Sequence, residues 1–192
     1  MVKVAILHEG NSQKNYDNEL LKLLIENLGL DVKQVKFFGM GSKSNFFKAD
    51  NSNYKELQTD LELENISKVL FFVDADDVKN DNLYGGYENT EKALQEIIQK
   101  LSLKKRADYF ITCDPKNKSG YLESFILSTI PKEQKECIDT FLECSQFKSK
   151  ENDKVILNKI YKMAYPNTPY DLKHENFSEL KQKLSDLFEE KL

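Results

Sequence analysis

The sequence predicts an α/β protein built on an open, mostly parallel sheet with helices on both faces and a C-terminal helical extension. Three observations predict it. Short runs rich in β-branched and aromatic residues recur at Val2–Leu7, Asp31–Phe38, Lys68–Val73 and Asp108–Cys113. Segments with helical apolar spacing separate them, and this alternation is the mark of parallel crossover units. Apart from Lys3, the first run is apolar instead of alternating, as a strand buried on both faces of a parallel sheet is.

Each element has its own signal. Val2–Leu7 ends at Glu9-Gly10, and Asn11–Asn15 is polar. From Tyr16, residues Leu20, Leu21, Leu23, Leu24 and Leu28 form a helical stripe, and Gly29 supplies a C-terminal stop. Val32, Val35, Phe37 and Phe38 make the second strand, followed by the loop Gly39-Met40-Gly41-Ser42. Residues 43–53 are polar around Phe46-Phe47, and Leu57, Leu61 and Leu63 predict a helix crossing back. The third strand, Lys68–Val73, runs into Asp74-Ala75-Asp76-Asp77. A loop then leads to a helix over Glu88–Leu101 with the stripe Ala93, Leu94, Ile97, Ile98 and Leu101. After the fourth strand the chain reads as helical at Leu122–Ile130, Glu133–Cys144, Val155–Ala164 and Phe177–Leu187. Ser178 or Asn176 is the expected cap of the last helix. Lys148–Lys154 reads as an exposed loop and Tyr165–Tyr170 as a Pro-containing break. The expected organisation is an α/β core over 1–130 and a helical C-terminal extension over 131–192, packed on the same domain.

Composition narrows the function. A chain of 192 residues fits one domain and buries a core without disulfide staples. Its net charge of −4 gives no overall basic field for gripping nucleic acid. An enzyme that meets phosphates through a metal stays open. The three cysteines, Cys113, Cys137 and Cys144, are odd in number and lack paired spacing. They predict a reducing, cytoplasmic compartment, and without a CxxC no structural zinc is expected. No apolar run approaches the roughly 18 residues of a membrane span, and the N-terminal run is too short for a signal sequence, so no membrane partner is expected. The abundance of Lys and Asn suggests an AT-rich bacterial genome.

The acidic residues carry the chemistry. Right-handed crossovers put the C-terminal ends of parallel strands on one edge, where such sheets bind ligands. Glu9 follows the first strand, and Asp74 and Asp76 follow the third. Three carboxylates gathered there repel one another. A hard divalent cation, Mg²⁺ with Mn²⁺ as a substitute, removes that penalty and can polarise a phosphoryl oxygen or activate water. Acidic residues after strands also cap helices and form turns, so each signal alone is weak. Their coincidence on one edge is what points to a site. Asp77, Asp114 and Glu123 are candidates for the surrounding shell or a second metal. The plainer alternatives are a loop residue, a turn Asp and a helix-start carboxylate facing the dipole.

Lys14, Gly41 and Lys43 are candidate phosphate contacts, on the amides of the loop after the second strand and on two lysines. The spacing is not that of a Walker A loop, and a tight turn is the plainer reading. Lys104-Lys105-Arg106 falls on the opposite edge as a solvated charge run. Gly85-Gly86 either hinges a loop over the site or simply precedes the helix. His8 adjoins the site or packs in the strand edge, and Cys113 reads as core. No Ser-His-Asp constellation is evident.

His8-Glu9-Gly10 closing the first strand, a Gly-containing loop after the second, and Val73-Asp74-Ala75-Asp76 closing the third resemble the Toprim domain. That domain occurs in topoisomerases, primases, a ribosomal-RNA maturation nuclease and nucleases of the overcoming-lysogenization-defect type. The resemblance covers about residues 2 to 115. It implies a Toprim-like, Rossmann-like sheet, with Glu9 as acid/base or metal-ligand glutamate and Asp74 and Asp76 as Mg²⁺ ligands. Cys113-Asp114-Pro115 through Gly120-Tyr121-Leu122-Glu123 is similar to an element of a small uncharacterised family of stand-alone Toprim-like prokaryotic proteins. So is the C-terminal Pro-containing loop followed by a Phe-initiated helix. The chain shows no tyrosine-nucleophile domain, ATPase domain or zinc ribbon, so the topoisomerase and primase roles are not carried over. The expectation is an Mg²⁺-dependent phosphodiester-hydrolysing or phosphotransfer protein acting on DNA or RNA, a Toprim-like nuclease. The alternative is a catalytically inactive Toprim-derived adaptor binding nucleic acid, a protein partner or a second copy of itself. A nucleotide-sugar transferase would also use Asp-x-Asp, but it leaves Glu9 without a role.

Overall fold

The computed structural model describes residues 3–11, 16–144, 159–160, 163 and 170–189. Four strands, β1 (Val4–His8), β2 (Val35–Gly39), β3 (Lys68–Asp74) and β4 (Ala107–Thr112), form one open sheet in the order β2-β1-β3-β4. Every pairing is parallel, with Val4 opposite Val35 and Lys68, and Val69 opposite Ala107. The helices are α1 (Tyr16–Asn27), α2 (Lys43–Phe46), α3 (Ser52–Glu62), α4 (Tyr87–Lys100), α5 (Leu122–Leu127), α6 (Lys132–Cys144) and α7 (Ser178–Phe188). The strand order reverses between β1 and β3, and at such a switch point the strand ends open a crevice for ligands.

Alternation along the strands feeds two apolar layers. Val4, Ile6, Leu70, Phe72 and Phe110 pack with α1, α5 and α7. Ala5, Leu7, Val69, Phe71, Val73 and Ile111 pack with α2, α3 and α4. All five residues of β1 are buried, as an apolar run at the centre of a doubly covered sheet requires. The last helix belongs to this core, because Phe177, Leu180, Leu184 and Leu187 are buried in the first layer.

The structure departs from the sequence reading in local ways. The second strand starts only at Val35, because the Asp31 side chain accepts from the Lys33 amide and tightens Val32–Gln34 into a 3-10 turn. The one-turn helix α2 lies in a stretch read as irregular. Its last carbonyl, on Phe46, accepts from the buried Tyr54 hydroxyl at 2.6 Å. Leu63, expected on the stripe of α3, stands 66 % exposed just past its end. Helix α5 stops at Leu127 instead of Ile130. Neither Ser178 nor Asn176 caps α7; Phe177 occupies that position with no side-chain bond. His174 instead caps the preceding 3-10 turn, its Nδ1 accepting from the Asn176 amide at 3.2 Å. Most of the helix expected over 155–164, the loop expected over 148–154, all but Tyr170 of the loop expected over 165–170, and most of the polar stretch 11–15 lie outside the described residues.

Candidate acidic centre at the strand switch

The site grows from the ends of β1 and β3. Beyond His8 the backbone stays tied to its neighbours: Met40 N–H donates to the His8 carbonyl at 2.8 Å. The Asp17 carboxylate, in the first turn of α1, accepts from the Gly10 amide at 3.2 Å. Its Oδ2 also lies 3.7 Å from Nδ1 of His8, which is fully buried in the sheet. These contacts fix the Glu9-Gly10 turn. Glu9 then reaches across the switch point, and its Oε1 accepts from the Asp74 backbone amide at 3.0 Å.

Asp74 is the last residue of β3 and is buried. Its Oδ1 accepts from the Thr112 hydroxyl at 2.5 Å and from the Leu122 amide, at the start of α5, at 2.8 Å. Two donors from different elements therefore set its orientation. Asp76 follows a different path. Its φ is +59°, a left-handed conformation that Asp tolerates better than most residues. It exchanges backbone bonds with Gly120, N–H to carbonyl at 2.7 Å and 3.0 Å. Its Oδ2 lies 3.2 Å from the ammonium of Lys43. That ammonium also donates to the Ala75 carbonyl at 2.6 Å, and Lys43 is buried.

Electrostatics follow from this packing. Burial holds the Glu9 carboxyl well above the usual carboxylate range, and the charges of Asp74 and Asp76 push it the same way. The bond from the Asp74 amide and the Lys43 ammonium oppose the rise. Glu9 thus senses all three charged neighbours. The three predicted ligands are neighbours in charge without converging on one point. Among the described residues, no group of three or more His, Cys, Asp or Glu side chains is placed to hold a metal ion. Glu9 and Asp74 meet at the switch point, and Asp76 turns to Lys43. Two carboxylates whose charges act on one another at one strand switch are a donor set that suits a hard cation such as Mg²⁺, which commonly takes one or two carboxylates and water.

The surrounding candidates are placed as follows. Asp77 closes a turn, its Oδ1 accepting from the Lys79 amide at 2.9 Å. Asp114 is buried in the turn after β4, where Oδ1 accepts from the Lys116 amide at 2.9 Å and Oδ2 lies 3.5 Å from Lys135. Glu123 sits in the first turn of α5, where its charge acts on Tyr170. Gly41 is exposed, with its amide 3.4 Å from the Gly10 carbonyl. Lys14 lies outside the described residues. Gly85 is buried with no room for a side chain, since a Cβ there would meet the Asp81 and Asp77 carbonyls at 2.4 Å and 2.6 Å. Gly86 begins α4. Cys113 is buried in the second layer, and that burial raises its thiol pKa.

Sequence reasoning missed the supports. Thr112 was legible only as a polar residue near the end of an apolar strand, and the Leu122 amide and Ala75 carbonyl leave no side-chain signal at all. The sequence offers Lys43 as a turn residue or a candidate phosphate contact, whereas in the structure its charge faces inward. Comparison of the chain with protein families, with curated proteins and with solved structures returned no match.

Proposed function

We propose that this protein is an Mg²⁺-dependent, cytoplasmic phosphodiester-hydrolysing or phosphotransfer protein of Toprim-like kind, acting on nucleic acid. One observation carries the reading: the half-buried Glu9 side chain, just past the end of β1, reaches the Asp74 amide at the end of β3, at the strand switch. Glu9 and Asp74 would hold the ion. When bound, it supplies a Lewis acid for a phosphoryl oxygen and a source of activated water. Thr112 and the Leu122 amide orient Asp74. Glu9, whose carboxyl pKa is raised by burial and by the charges of Asp74 and Asp76, transfers protons or completes the ligand set.

Cleavage assays on single-stranded, double-stranded and structured DNA and RNA, with Mg²⁺ and with Mn²⁺, test this. Turnover is expected in the wild type, and Glu9→Gln should lower it by about 10²-fold or more, with substrate binding kept. A second reading is favoured by Lys43, whose ammonium already offsets part of the acidic charge. In it the protein is a Toprim-derived adaptor without turnover, binding nucleic acid, a protein partner or a second copy of the chain. Metal binding with no cleavage of any substrate would establish it.

A further inference from the structure

Lys43 is the only buried lysine or arginine among the described residues, at 6 % exposure. Desolvating an ammonium is costly unless acceptors replace water. Here they do, through the Ala75 carbonyl at 2.6 Å and Asp76 Oδ2 at 3.2 Å. The Ala75 carbonyl is shared, accepting also from the Gly86 amide at 2.8 Å and the Thr90 hydroxyl at 3.3 Å. It therefore keeps partners when Lys43 leaves. Lys43 opens a helix of only four residues, after the exposed Gly41, and Ser42 makes no side-chain capping bond there. A long flexible stem at such a loosely held start can swing its charge outward without moving the sheet.

We propose that Lys43 is the resident counter-cation of the acidic centre and that a divalent ion enters by displacing it. The inference rests on the metal-dependent reading above. Lys43 neutralises Asp76 while the centre holds no ion, and holds its carboxylate at 3.2 Å. Entry of the ion frees Asp76 to join Glu9 and Asp74 and releases the ammonium toward solvent, where a substrate phosphate can meet it.

Mn²⁺ titrations by calorimetry on the full chain test this in the wild type, Lys43→Met and Lys43→Arg. Methionine keeps the stem and removes the charge, so Lys43→Met should bind Mn²⁺ at least about tenfold more tightly, the scale of removing one charge a few ångströms away. Lys43→Arg should stay as weak as the wild type. In the wild type, acylation of the Lys43 amine should be slow without Mn²⁺ and fast with it, which decides the matter even if Lys43→Met folds poorly. Equal or weaker Mn²⁺ binding by Lys43→Met, or a Lys43 amine still protected at saturating Mn²⁺, overturns displacement and leaves the metal-dependent reading standing. No Mn²⁺ binding by any of the three proteins overturns both.

Discussion

Glu9 stands one residue beyond a buried parallel strand, and its neighbours decide its chemistry. Its pKa is raised above the model-peptide value of 4.5, so the folded state keeps a proton that the unfolded state gives up. The sign follows: this group costs no stability below about pH 4.5, costs progressively more as pH rises toward its folded pKa, and then levels off. Glu9→Gln keeps an oxygen for the Asp74 amide and removes the charge. In metal-free buffer its melting temperature should match that of the wild type at pH 4 and exceed it increasingly as pH rises above about 4.5. Thermal melts across that range check it, and a difference independent of pH would remove Glu9 from the charged cluster. Glu9 and Asp74 were legible because each directly follows or closes an apolar run. The inward role of Lys43 was not, because a Gly-rich loop ending in Lys reads as a turn or as a phosphate contact, and neither reading points the lysine into the acidic centre.

At the scale of elements, the Asp-x-Asp segment shows what spacing cannot fix. Strict alternation would put Asp74 and Asp76 on one face of the sheet, but β3 ends at Asp74 and the positive φ of Asp76 breaks the alternation. What redirects it is the antiparallel bridge between Asp76 and Gly120, two residues before α5. Gly120 has φ +99°, and a Cβ there would meet the Ser124 Oγ at 2.5 Å. Gly120→Ala should therefore destabilise the fold by about 1–3 kcal/mol and disturb Asp76 while leaving the sheet intact. Urea denaturation measures the first effect; an unchanged midpoint would mean that the bridge does not constrain this turn. The bridge pairs residues forty-four positions apart in the chain, a contact that local patterns do not encode. The strands were legible to within a few residues because β-branched and aromatic runs mark them.

For the whole molecule, the alternation of strands and helices predicted an open parallel sheet, and the strand order adds the switch point that brings Glu9 to Asp74. Less legible was the part played by the C-terminal helix. Its apolar stripe could be read, but not that Phe177, Leu180, Leu184 and Leu187 join the layer over β1, β3 and β4. Phe125 and Phe177 meet there edge to face, with ring centroids 5.1 Å apart. Leu184→Ala should cost about 2–5 kcal/mol, as truncation of a fully buried leucine does. A loss well under 1 kcal/mol in chemical denaturation would place α7 outside the cooperative core.

If this sheet edge holds a divalent ion, anomalous diffraction from Mn²⁺-soaked crystals will locate it. A peak is expected within roughly 2.0–2.6 Å of carboxylate oxygens from both Glu9 and Asp74, lost in Asp74→Asn. A peak elsewhere, or none while Glu9 and Asp74 keep their present contacts, would contradict the metal-dependent reading.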